Sequence, residues 1–150
     1  MSNSNYIHNS HNVSNLVYHF VCPTKYRRIV ITKGVDECVK QTCAGIELRY
    51  DWIIFLEIGA DKDHVHFLIQ SKPNYSPSKI ITTVKSITAK RVFAEHPEVK
   101  KQLWGGEFWS DGYFVATVGK AGSEEAVRRY VQNQGKQDEY EQLFFQVLAT

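Results

Sequence analysis

Several things that would narrow the class of this chain are scarce in it. Only three cysteines occur in 150 residues, Cys22, Cys38 and Cys43, an odd number with no CxxC pair. Cys38 and Cys43 fall in a helix-like stretch, so the expectation is buried thiols in a reducing cytoplasm and no structural zinc site. No apolar run approaches the ~20 residues needed to cross a bilayer. The polar opening MSNSNYIHNSHN is not a signal peptide. An excess of one charge is lacking too. The 18 Lys and Arg against 16 Asp and Glu leave +2, so a nucleic-acid surface would have to come from local clustering. There is no internal repeat, and no low-complexity segment beyond the first dozen residues, where residues 1–13 are expected to fray.

What is present reads as one domain spanning residues 1–150, with 43% hydrophobic and 23% charged residues. Asn15 to Cys22 (NLVYHFVC) is β-branched and aromatic, a strand. A basic loop over Pro23 to Arg28 follows. Val35, Cys38, Val39, Thr42, Cys43 and Ile46 recur at helical spacing and predict a helix over 34–49. Strands are predicted at Asp51–Ile58 and His64–Gln70, with a turn at Gly59–Asp63 between them. Ser76-Pro77 starts a second helix that runs to about Glu95, since serine caps and proline suits the first helical position. A long loop with Trp104 and Trp109 precedes a strand at Tyr113–Val118. Gly119–Gly122 is a joint, and Ser123 caps a last helix over about 123–135. The order βαββαβ predicts an α+β, ferredoxin-like antiparallel sheet with helices on one face, plus the C-terminal helix. That fold hosts many functions.

The chemistry is sought in His64 and His66. Side chains alternate along a strand, so Val65, Phe67 and Ile69 face the core while His64 and His66 project together from the other face. Two imidazoles at i, i+2 can reach one metal ion, and Asp61 and Asp63 upstream could orient a ring N–H. Taken alone, a histidine pair reads more simply as half-exposed polar residues. On the last helix Tyr130 and Gln134 stand at i, i+4 and share a face. Tyr130 could be a nucleophile beside a metal, or could pack with Ala126, Val127 and Val131; spacing leaves both open.

The stretches YHFVCPTKYRR, DKDHVHFLIQ, SPSKIITTVKSITAKR, LWGGEFWSDGYFVATVGK and VRRYVQNQ occur in that order. Together they resemble the single-tyrosine "HUH" transposases of bacterial and archaeal insertion sequences, the TnpA family, over roughly residues 15 to 135. The resemblance implies a homodimeric enzyme that cleaves and rejoins single-stranded DNA at hairpin-bearing element ends through a 5′-phosphotyrosine. It implies a divalent ion, Mg2+ or Mn2+, and no nucleotide cofactor. It makes His64, His66 and Gln134 the metal ligands and Tyr130 the catalytic nucleophile, on a helix that can complete a partner's site. The chain departs from the family in CPTKYRR, usually Trp-Cys-Pro-Lys-Tyr-Arg, and in VGKAG, where Gly-Gly is common.

For DNA contacts, Lys25, Tyr26, Arg27 and Arg28 combine cations with an aromatic ring. Lys79, Lys85, Lys90 and Arg91 on the second helix are further candidates; the simpler reading of them is a solvated face. Trp104, Trp109 and Tyr113 fit packing better than base stacking. Three rival functions each meet an obstacle in the sequence. A histidine-triad hydrolase needs a third histidine where Leu68 stands. A non-catalytic nucleic-acid-binding domain needs an aromatic platform where His64 and His66 stand. An HUH replication or conjugation nickase is nearest, but is larger and usually brings a third histidine.

Overall fold

The computed structural model describes residues 6–119; Tyr130, Gln134, the predicted last helix and the predicted joint beyond Gly119 lie outside the described residues. A small hairpin, β1 (Ile7–His8) with β2 (Val13–Ser14), comes first. It occupies a stretch expected to fray, where backbone pairing needs no hydrophobic pattern to announce it. The main elements then follow as β3 (Leu16–Pro23), α1 (Lys33–Arg49), β4 (Ile54–Ala60), β5 (His64–Ser71), α2 (Pro77–Glu95), a short α3 (Pro97–Gln102) and β6 (Phe114–Val118).

The four long strands form one antiparallel sheet in the order β4-β5-β3-β6. This is the predicted ferredoxin-like arrangement, with the first and third main strands central. Its core lies on one face. Tyr18, Phe20 and Cys22 of β3 and Val65, Phe67 and Ile69 of β5 pack against Val35, Cys38, Val39, Cys43 and Ile46 of α1 and Ile80, Ile81, Val84 and Val92 of α2. The helical stripe read from the sequence is therefore the buried one, because a helix on a sheet must turn its apolar side inward.

Local signals fix the helix starts. Thr32 Oγ1 accepts from Val35 N at 3.3 Å, and Ser76 Oγ accepts from Lys79 N at 3.0 Å, with Pro77 following as anticipated. The second strand is shifted from its expected place. Tyr50 to Ile53 form a turn, in which Trp52 stacks on Tyr75 with ring centroids 4.1 Å apart, and pairing begins at Ile54. At its far end the strand continues through Gly59 and Ala60, opposite His66 and Val65, so the turn shrinks to Asp61–Asp63. The apolar run could not mark either end, since Trp52 and Ile53 are buried without being in the ladder. The loop after α2 also gained α3, whose first residue is Pro97. No helix among the described residues is long and apolar enough to cross a membrane.

Candidate metal and DNA site

On β5 the alternation holds: Val65, Phe67 and Ile69 join the helix-covered core, and His64 and His66 do not. The opposite face carries His64, His66, Leu68 and Gln70 of β5 beside Val17, His19 and Val21 of β3. All seven are buried. Neither imidazole is half-exposed as the simpler reading supposed; each has 0% exposure. Gly59 stands opposite His66 on the neighbouring strand, so no side chain from that position competes with the ring.

The rings of His64 and His66 lie 5.0 Å apart at 75°. Each uses Nδ1 for a protein contact. Asp63 Oδ1 meets His64 Nδ1 at 2.9 Å, and His19 Nε2 meets His66 Nδ1 at 2.9 Å. Nε2 is therefore the nitrogen by which each ring would meet a cation, and a partner on the other nitrogen is the usual way a ligating histidine is oriented. Burial lowers the pKa of His64, against a smaller upward pull from Asp63. Burial, then His19 and His64, hold His66 well below the usual histidine range. Burial takes His19 to about 4. All three rings are neutral at pH 7, the form that ligates metals, so the donor set fits a divalent ion.

His19 belongs to no motif that the sequence alone displays. It sits between Tyr18 and Phe20, whose parity points to the core, so a histidine of the opposite parity on a strand beside HVH was the available signal. Asp63 is positioned by the turn: Asp61 N donates to His64 O at 2.9 Å, and Thr24 N donates to Asp63 O at 2.9 Å. Arg27 reaches Asp63 Oδ2 at 3.2 Å, so the basic loop, Asp63 and His64 form one chain of contacts.

The candidate DNA residues divide. Tyr26 and Arg28 are exposed, and Arg27 is about half so. Tyr26 and Arg27 hold left-handed backbone, φ 56° and 52°, a conformation that costs of order 1 kcal/mol or more in a non-glycine residue and concentrates at functional loops. Lys25, by contrast, pairs with Glu107 at 2.9 Å and Asp111 at 3.7 Å. On α2, Lys79 and Lys90 are exposed, and Lys90 lines a groove of about 440 Å3 with Ser86, Phe93 and Trp109. Lys85 donates to Ser110 O at 2.7 Å and lies over the Tyr113 ring, so its ammonium ties down a loop. Arg91 turns to Glu95. Trp109 is core, its Nε1 donating to Thr88 Oγ1 at 3.0 Å, whereas Trp104 is exposed.

Comparison with known proteins bears on the family of the chain. The family model described as "Transposase IS200 like" matches residues 12–134. The chain is 28% identical over 123 residues to the ISDra2 transposase TnpA of Deinococcus radiodurans, covering 81% of this chain and 86% of that one. It is 28% identical over 133 residues to the transposase for insertion sequence element IS200 of Salmonella typhimurium, covering 86% and 83%. A solved transposase structure from Deinococcus radiodurans R1 superposes with a TM-score of 0.69 at 26% identity, over 86% of this chain and 98% of that one. A tyrosine transposase bound to a REP hairpin shares the fold at a TM-score of 0.57 and 7% identity, over 83% and 69%.

Proposed function

The chain belongs to the IS200-like transposases and is a DNA transposase, and from that premise we propose that it cuts and rejoins single-stranded DNA with Tyr130 as nucleophile beside a divalent ion held by His64 and His66. The observation that carries the reading is the histidine pair itself: two buried, neutral imidazoles side by side, each with Nδ1 already engaged. Gln134, four residues after Tyr130 in the sequence, is the third ligand by resemblance to the family.

A phenol has a pKa of ~10 and is a weak nucleophile at neutral pH. The bound ion would withdraw charge from a phosphate oxygen and make phosphorus more electrophilic. Tyr130 Oη then attacks phosphorus, the bond to the 3′ oxygen breaks, and a 5′-phosphotyrosine forms with a free 3′-hydroxyl. The ester conserves the bond, so attack by a different 3′-hydroxyl returns the tyrosine and joins new strands. No nucleotide cofactor is required. Asp63 and His19 hold the two ligand rings, and Arg27 holds Asp63. Tyr26, Arg27 and Arg28, with Lys79 and Lys90, supply phosphate contacts and a stacking ring. Lys25, Lys85 and Arg91 shape the same surface through Glu107, Ser110 and Glu95. The active unit is a homodimer.

The test is incubation with labelled single-stranded DNA from the flanking element ends and Mg2+ or Mn2+, resolved on denaturing gels. A protein–DNA adduct is expected with the wild type and none with Tyr130→Phe, which keeps nearly all of the side chain's bulk. An adduct of undiminished yield in Tyr130→Phe overturns the assignment.

A further inference from the structure

On the helix side of the sheet, away from His64 and His66, the end of α2 meets the first turns of α1. Cys38, Glu95 and His96 converge there, each offering a ligand atom within 4.8 Å of the others. The residues are far apart in sequence, so no spacing motif betrays them. Each donor is prepared by a neighbour. Glu98 Oε2 meets His96 Nδ1 at 3.3 Å, which would leave Nε2 for a cation, as a carboxylate does for a metal-bound imidazole. Arg91 pairs with Glu95 one turn along α2 and fixes its side chain. Gly34 leaves the space in which the imidazole sits, since a Cβ there would come within 3.2 Å of His96 Cε1.

We propose that Cys38, Glu95 and His96 form a second metal site, for Zn2+, that pins the start of α1 to the end of α2. Sulfur, imidazole nitrogen and carboxylate oxygen are the three ligand types zinc accepts, and water would complete the tetrahedron. Hard cations such as Mg2+ prefer all-oxygen shells and are not served by this set. Binding removes one proton: Cys38 loses its S–H proton to solvent and the thiolate takes the cation. Without metal the thiol stays protonated, because burial and then Glu95 raise its pKa. The proposal departs, at Cys38, from the expectation drawn from cysteine spacing that there is no structural zinc site. Cys22 and Cys43, also buried, take no part.

Titrating the reduced full-length protein with Co2+ tests this, because a thiolate–cobalt bond gives an intense near-ultraviolet charge-transfer band that a histidine site cannot. The band is expected in wild type and in His64→Ala, and is expected to vanish in Cys38→Ser. Its absence from wild type, or its persistence in Cys38→Ser, overturns the proposal. Because Cys38 is buried, two more exposed variants provide a second measure. Glu95→Gln and His96→Ala should each weaken Zn2+ binding at least ~10-fold in competition with a chromophoric chelator, and Glu98→Gln roughly 10-fold. Zn2+ affinity unchanged in all three overturns it equally.

Discussion

At the scale of single residues, the candidate site turns on which nitrogen each histidine presents. Asp63 accepts from His64 Nδ1, so changing it to Asn should remove the charge that fixes this ring while sparing the ligand. Metal affinity is expected to fall ~10–100-fold in Asp63→Asn, measured by Mn2+ titration calorimetry, with DNA-hairpin binding little changed. Affinity equal to wild type would mean that the 2.9 Å contact does not tune the ligand. Nitrogen donors also bear on the choice of ion. Mg2+ favours oxygen ligands and holds its water, whereas a softer ion accepts imidazole more readily. Half-maximal adduct formation is therefore expected at a lower concentration of Mn2+ than of Mg2+; the reverse order would argue against two imidazoles as the principal ligands.

At the scale of elements, α2 serves two surfaces at once. Its apolar side, with Ile80, Ile81, Val84 and Val92, belongs to the core. Its flank holds the loop before β6 through Lys85 to Ser110 and through Thr88 Oγ1 to Trp109 Nε1. Thr88 is fully buried, and its hydroxyl also donates to Val84 O at 2.7 Å. Replacing it by Val keeps the shape but strands the indole N–H, which should cost about 1–3 kcal/mol. Urea unfolding would read that loss. A Thr88→Val protein as stable as wild type would show that the Trp109 bond adds nothing net. The loop stitched in this way carries Glu107 and Asp111, the partners of Lys25, so the basic loop before α1 is braced by α2 through it.

At the scale of the whole molecule, the net charge of +2 makes DNA affinity depend on the few cations that cluster, chiefly Tyr26's neighbours and those of α2. Binding should weaken as salt rises, because each phosphate contact releases counterions. Cleavage should fail on a fully paired duplex of the same sequence, and equal cutting of duplex and single strand would count decisively against the transposition chemistry proposed. The proposed homodimer gives a further test. Mixing Tyr130→Phe with His64→Ala subunits, each inactive alone, should restore cleavage, since a site built in trans combines an intact tyrosine with intact histidines. Heterodimers without activity would assign tyrosine and histidines to the same chain.

Much of this was fixed by the sequence alone, wherever the determinant is local. Alternation along HVHFLIQ separated His64 and His66 from the core, helical spacing from Val35 to Ile46 found the buried stripe, and Ser76-Pro77 marked a helix start, because period and capping act within a few residues. The TnpA resemblance rested on ordered stretches of the same kind. Only the tertiary structure decided what depends on pairing between distant segments. It placed His19 against His66, and it paired Lys25 with Glu107 and Lys85 with the Ser110 carbonyl. It also carried β4 through Gly59 to lie beside His66, and brought Cys38 to Glu95 and His96. None of these has a sequence period, since each is set by strand register or by where one helix ends against another, and those are properties of the packed chain rather than of any stretch of it.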